Sequence, residues 1–315
     1  MNAWEERGFM VKVANLYYFG GWTQSQISKK MGISRSAISK VLQKARDEGI
    51  VEIYIKDENA HIVELGRALE DKYDLKEAIV VPTAGLTNDM IKKSLGKAAA
   101  YFVSKNLADI ENIGISSGNT LASFVNEFPY NINNDLKKVI PLVGGMGKYL
   151  VDIQANILAY KLSQKLNCCC SYLYAPAIVE TEDLKESIVE TKDIASVLHE
   201  GKNVDMAIVG IGNPYKESTM SLMGYLKEED KFILKKEGVV GDIGSYFYDS
   251  FGQQVKHSIN NRVIGLDLDH LQKIPYVIGI VEGVHKVDSI EAALKANYFD
   301  VIALDDSTAY ALLYG

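Results

Sequence analysis

Six short stretches of this 315-residue chain put hydroxyls, glycine amides and charges just after an apolar run. The first is Gly114-Ile115-Ser116-Ser117-Gly118-Asn119-Thr120, a strand end running into a helix start near Thr120. Backbone N–H groups freed at such a helix start can point at an anion, and seryl and threonyl hydroxyls add donors. An ordinary tight strand-to-helix turn reads the same residues equally well. The spacing is neither the G-x-G-x-x-G of dinucleotide sites nor a P-loop, which would end in Gly-Lys-Ser/Thr. The second stretch carries Gly144, Gly145 and Gly147, with Gln154 at the next helix, and the third carries Gly210 and Gly212-Asn213-Pro214. In the fourth, Gly241-Asp242-Ile243-Gly244, one carboxylate could accept from sugar hydroxyls. The fifth, Glu282-Gly283-Val284-His285-Lys286, puts a lysine at a helix start. A cation there opposes the helix dipole by several tenths of a kcal/mol, which makes sense if a phosphate completes the site. A solvated surface lysine is the plainer alternative. The last, Asp305-Asp306-Ser307-Thr308, reads as plain helix capping.

A different chemistry is written near the N-terminus. After Gly32, Ser34 is a good N-cap for a helix in which Ile38, Leu42 and Ala45 recur at helical spacing, with Val41 beside them. Arg35, Ser36, Ser39, Lys40 and Gln43 are left on the outer face, with lengths and donors suited to base edges and phosphates. The preceding helix begins at Thr23, whose hydroxyl pairs with Gln26 as a capping box. It turns Ile27 and Met31 inward and stops at Gly32, where a left-handed turn favours glycine. This is the pattern of a helix-turn-helix with its second helix bound for a DNA major groove, flanked by Lys29, Lys30, Lys40 and Lys44 for phosphates.

The elements that must position these groups fall into two blocks. Residues 1–56 carry nine Lys and Arg against five Asp and Glu, and the remainder 25 against 36, so a basic head precedes an acidic body. The head starts with a helix over 5–19, apolar at Val11, Ala14 and Leu16, and residues 51–55 alternate like a short strand or wing. A connecting helix spans 57–73. From Ala78 onward, apolar strand candidates at 78–81, 112–115, 138–143, 170–174, 205–209, 263–266, 276–281 and 301–304 alternate with helices at 89–105, 120–128, 153–165, 228–236, 287–296 and 308–313. Near-continuous apolar strands imply burial on both faces and a doubly wound, mostly parallel α/β sheet, whose ligands sit at the strands' carboxyl ends. The expected domains are therefore a helix-turn-helix over 1–56 and a Rossmann-like ligand and oligomerisation domain over 57–315. Cys168, Cys169 and Cys170 read as small filler in a buried strand. No signal-peptide pattern opens the chain and no apolar run approaches the roughly 20 residues of a membrane span. A reduced cytoplasmic protein needing neither cofactor nor metal is the expectation.

The ordered set of these pieces resembles the SorC family of bacterial sugar-binding transcriptional regulators. The matching elements are the N-terminal helix-turn-helix, 114–120, Pro141-Leu142-Val143-Gly144-Gly145, Gln154-Ala155-Asn156-Ile157-Leu158-Ala159, Ala175-Pro176, Gly210-Ile211-Gly212, Val240-Gly241-Asp242-Ile243 with Phe247 and Gly252, and Gly283-Val284-His285-Lys286 with Ile290. The resemblance implies an effector domain similar to phosphosugar isomerases, a homo-oligomer (a dimer or, typically, a tetramer) on double-stranded operator DNA, and release or re-tuning by a phosphorylated sugar. By position it implies that Ser116, Ser117, Gly118, Asn119 and Thr120 hold the effector's phosphate or its neighbouring hydroxyls. Gly144 and Gly145 border the site, and Gln154 matches a position that contacts the sugar phosphate in some relatives. Asp242 would accept from hydroxyls, and Lys286 matches a phosphate-binding lysine. Two residues depart from the pattern. Val143 stands where some relatives carry Lys or Arg, which excludes a Schiff base there and disfavours a bisphosphate. Glu282 stands where a small residue is usual, so its carboxylate would repel phosphate unless Lys286 offsets it. The alternative is a phosphosugar isomerase or deaminase with an accessory head. That chemistry needs a positioned base and often a ring-opening histidine. Asp242, Glu282 and His285 are candidates, but they do not repeat the enzymes' spacing, so a non-enzymatic regulator is expected.

Overall fold

The computed structural model describes residues 3–51, 60–130, 135–147 and 150–315, which divide into two compact units, Met1–Ala60 and His61–Gly315. The first unit holds α1 (Ala3–Ala14), followed by a π-helical turn over Asn15–Phe19, then α2 (Gln24–Met31) and α3 (Arg35–Asp47). Its core is Val13, Ile27, Ile38 and Leu42. Both caps form as the residue types dictate. The Thr23 hydroxyl accepts from the Gln26 amide, Gln26 Oε1 accepts from the Thr23 amide at 2.8 Å, and the Ser34 hydroxyl accepts from the Ala37 amide at 3.2 Å. Gly32 ends α2 at φ 68°, the left-handed region where a side chain would be strained. In α1 the buried face is Met10, Val13 and Ala14, and Val11 points out, a one-residue shift from the expected stripe. The expected wing strand at 51–55 lies, apart from Val51, outside the described residues.

The second unit is an α/β layer structure. In chain order it runs α4 (Ala60–Tyr73), β1 (Glu77–Val81), α5 (Asn88–Lys105), β2 (Asn112–Ile115), α6 (Asn119–Glu127), β3 (Lys138–Pro141), α7 (Ala155–Leu166), β4 (Cys169–Cys170), α8 (Glu182–Val189), α9 (Lys192–Lys202), β5 (Met206–Val209), β6 (Ile211–Gly212), α10 (Thr219–Leu222), α11 (Glu228–Lys236), β7 (Val239–Ile243), β8 (Tyr246–Asp249), α12 (Leu268–Leu271), β9 (Tyr276–Ile280), α13 (Val287–Lys295), β10 (Val301–Asp305) and α14 (Asp306–Tyr314). Seven strands form one parallel sheet in the order β1-β10-β9-β5-β2-β3-β4. All residues of β5 and β10 are buried, as two-sided coverage requires. From β2 the chain moves outward to β3 and β4. It then returns to the other side of β2 as β5 and continues to β9 and β10. The strand order therefore reverses between β2 and β5, the place where open α/β sheets leave a crevice at their carboxyl ends.

Three local expectations are corrected. Residues 263–266 form no strand and make only isolated bridges, Val263 to Ile178 and Gly265 to Val143. The stretch around Asp242 is no loop. It is strand β7, which pairs antiparallel with β6 and β8 in a separate three-stranded sheet. The cysteines are not buried filler: β4 is only two residues long at the sheet edge, Cys169 is exposed, and Cys168 and Cys170 are half-buried. An edge strand has a neighbour on one side only, so less of it is covered.

Candidate functional site

The cleft at the strand-order reversal is built chiefly by three strand-end loops and one hairpin, with Met146 and Glu217 to Met220 completing its wall. After β2 come Ser117, Gly118, Asn119 and Thr120. After β5 come Gly210 through Asn213, after β9 come Glu282 and Lys286, and Asp242, Gly244 and Ser245 face them from the β7–β8 hairpin. Lys92 of α5 closes one side. The loops are pinned to one another. Thr120 Oγ1 donates to the Ile280 carbonyl at 3.0 Å, and Asn213 Nδ2 donates to the His285 carbonyl at 2.7 Å. The Asp305 carboxylate accepts from Gly283 N at 3.0 Å and from Thr308 N at 2.9 Å, so Asp305 caps α14 and ties the β9 loop down.

At the start of α6, the Gly118 amide donates to the Ile153 carbonyl at 3.0 Å. The next amides, of Asn119, Thr120 and Leu121, have no acceptor among the described residues. They are the orphan donors every helix N-terminus leaves, and of these residues Asn119 and Thr120 line the cleft. Across it, the Lys286 ammonium makes no ion pair among the described residues. Burial holds it below its ordinary pKa, while the carboxylates of Glu282, Asp242 and Glu217 pull the other way. Glu282 is paired with Lys92 at 3.6 Å. Burial raises the Asp242 carboxyl to about 6, against the opposing effects of Lys286 and a hydrogen bond from the Ser245 amide. The site thus combines two ammonium groups, free helix-start amides and three carboxylates. It can hold an anion at one corner and hydroxyl donors at the other.

Seven of the expected effector residues line this cleft: Ser117, Gly118, Asn119, Thr120, Asp242, Glu282 and Lys286. The hydroxyl of Thr120 is already committed to Ile280, so only its amide faces a guest. Four expected residues are not among the lining. Ser116 is 1% exposed, and its amide continues the sheet ladder to Ile208. At Gly144 a Cβ would lie 2.6 Å from the Ala175 carbonyl oxygen and from Pro176, so a close backbone crossing demands this glycine. Gly145 bonds to Ala175 at 2.8 Å. Gln154 Nε2 donates to the Met146 and Gly147 carbonyls at 3.3 and 3.1 Å, which shapes the loop that brings Met146 to the cleft. Val143 is buried in the core. Asn213 joins the site from the third stretch, and Lys92 and Ser245 join it although no sequence motif names them. Lys92 lies mid-helix and far from any glycine motif, so only its three-dimensional position reveals it.

In the first unit, Arg35, Ser36, Ser39, Lys40 and Gln43 are all exposed on α3. Ser36 and Ser34 hydroxyls share a hydrogen bond at 2.9 Å, and Gln43 Nε2 donates to Asp47 at 2.9 Å. Lys44 is committed to Glu6 and, at 3.6 Å, to Glu48, whereas Lys40 and Arg35 make no ion pair among the described residues. Lys30 sits 4.5 Å from the Trp22 ring centroid.

A three-helix unit with an exposed polar recognition helix, followed by an α/β unit with an anion-accepting cleft, is the architecture of a ligand-responsive transcriptional regulator. Residues 57–314 match the family described as "Putative sugar-binding domain", and residues 12–48 match sigma-70 region 4. The deoxyribonucleoside regulator of Bacillus subtilis is 31% identical over 315 residues, covering 98% of each chain. The full-length sorbitol operon regulator SorC of Klebsiella pneumoniae has a solved structure 30% identical to this chain. It aligns over 97% of this chain and 98% of its own with a TM-score of 0.78. A DeoR family transcriptional regulator from Listeria monocytogenes is 43% identical, covering 80% of this chain and 100% of its own, with a TM-score of 0.75. The chain belongs to the SorC family of sugar-binding transcriptional regulators. These full-length relatives are regulators, which sets the chain with them rather than with the isomerases and deaminases.

Proposed function

We propose that the chain binds operator DNA of a carbohydrate operon through α3 and that a phosphorylated sugar in the β2/β5 cleft sets its affinity for that operator. The reading puts the functional division at 56/57, where the sugar-binding family match begins, a few residues before the compact units part at Ala60, and has the protein work in the cytoplasm as a homo-oligomer, because paired half-sites need paired recognition helices. Arg35, Ser36, Ser39, Lys40 and Gln43 meet the DNA. Ser117, Gly118, Asn119 and the Thr120 amide take the phosphate together with Lys286, while Asp242 and Glu282 take hydroxyls. Ser116, Gly144, Gly145 and Gln154 hold the loops behind them.

One observation carries the effector reading: a lysine with no ion pair among the described residues shares a cleft at the sheet's switch point with helix-start amides that have no acceptor among them. A sugar phosphate would supply the missing counter-charge and bring hydroxyls to the acidic side. The test is a thermal-shift panel of sugar phosphates and the matching free sugars, followed by operator binding with and without whatever stabilises the protein. A sugar phosphate that raises the Tm and changes operator affinity supports the reading. Stabilisation by free sugars alone would overturn its phosphate half.

A further inference from the structure

The hairpin joining β7 to β8 pairs Ile243 with Tyr246, so its turn is the two residues Gly244 and Ser245. Both have positive φ, 57° and 74°, as the tight primed turns of hairpins require. Glycine accepts such angles freely, and serine does not. Ser245 is also 2% exposed, and its hydroxyl is buried with no hydrogen-bond partner among the described residues. A strained backbone and an unsatisfied buried hydroxyl at one residue are two separate costs to folding. A glycine in that place would remove both.

The same residue lines the cleft together with Asp242, Gly244 and Lys286, and its backbone favours the ionised form of the Asp242 carboxyl. We infer that Ser245 is a further effector-binding residue whose hydroxyl is completed by a hydroxyl of the bound sugar, next to Asp242. The inference rests on the sugar-effector reading above and adds a contact to it. A hydroxyl can donate or accept, and one χ1 torsion lets it adjust when a partner arrives. Asp242 can only accept while ionised, so the pair reads adjacent sugar hydroxyls with complementary roles. In that reading the phosphate is taken by the α6-start amides and the Lys286 ammonium, and the serine supplies none of those donors.

The test uses the full chain and two substitutions, Ser245→Ala and Ser245→Gly. Without ligand, Ser245→Gly should raise the Tm by about 2–4 °C, since it removes both costs, and Ser245→Ala should not lower it. With ribose 5-phosphate, fructose 6-phosphate, glucosamine 6-phosphate and their free sugars as probes, both variants should bind about three- to tenfold more weakly any compound that stabilises the wild type. Their response to inorganic phosphate should be unchanged. If both variants lose stability without ligand, the hydroxyl is structural and the inference fails. If the wild type responds to a sugar and both variants respond equally, the inference fails while the effector reading stands. If no probe stabilises the wild type, both fall together.

Discussion

Charge at the cleft is set residue by residue, and the buried lysine decides the balance. Lys286 pays a desolvation cost that Glu282 and Asp242 only partly offset, so an anion that enters gains a partner already in place. Lys286→Ala should therefore abolish the Tm shift produced by an anionic effector while leaving operator binding intact in its absence. A full ligand shift in that variant would remove Lys286 from the site. Asp242 carries the pH dependence. Its carboxyl is raised to about 6, chiefly by burial, so the folded state holds its proton more tightly than the unfolded chain. Stability from this group is complete below the unfolded value near 4 and is lost as pH rises through about 6. Asp242→Asn should remove that loss and raise stability at pH 7.5 by about 1–3 kcal/mol. The upper bound follows from the shift. The gain is smaller because the carboxylate faces a solvated cleft and because Lys286 loses a nearby negative charge. Denaturant unfolding at pH 4.5 and 7.5 measures it, and equal pH slopes in variant and wild type would show that Asp242 does not titrate this way. Glu282 is paired in place with Lys92, a partner no local motif announces, and that pairing would let a carboxylate line the proposed anion site.

At the scale of elements, the site depends on how tightly β6 is laid against β7. Gly212 faces Asp242 across the pairing, and a Cβ on it would lie 2.1 Å from the Asp242 Oδ1. Gly212→Ala must therefore push the carboxylate or the hairpin aside. The expected result is a Tm lower by several degrees and no effector shift, and a variant with wild-type Tm and ligand response would show that the hairpin yields freely. This sheet was the part least legible in the sequence. Gly241 and Gly244 made 240–244 look like a loop, yet Gly241 is a strand residue whose missing side chain admits Tyr248 and Ser289. Asp242 was identified by type, but the antiparallel pairing that aims it came from contacts distant in sequence. The parallel strands are easier, since β5 and, up to its final Asp305, β10 are apolar runs that only a two-sided burial explains. The caps at Thr23 and Ser34 were legible because side-chain capping is local chemistry. Helices α8 and α9 were missed because their weight of Glu, Asp and Lys hides a thin apolar stripe. Gly144 and Gln154, expected at the effector, are not in the cleft lining; Gly144 permits a close backbone crossing and Gln154 supports the 146–147 loop.

For the whole molecule, the division of charge fits the proposed division of labour. A net positive head can meet phosphates, while an acidic body of opposite sign keeps the rest of the chain from coating nucleic acid. With sensing and reading proposed for separate units, an effector could act only by favouring one state of the protein over another, so its influence would be a coupling free energy. Such couplings commonly amount to about 1–3 kcal/mol, or a 5- to 150-fold change in affinity. Linkage makes the coupling reciprocal. The factor by which saturating effector changes operator affinity must equal the factor by which saturating operator changes effector affinity. Fluorescence anisotropy with labelled operator and calorimetric titration of effector, run at one salt concentration, measure the two factors independently. Equal factors different from one are expected, with Lys286→Ala bringing both toward one and Asp242→Asn reducing effector affinity. Factors of one in both directions, with effector and operator each bound, would mean that the cleft and α3 are not coupled.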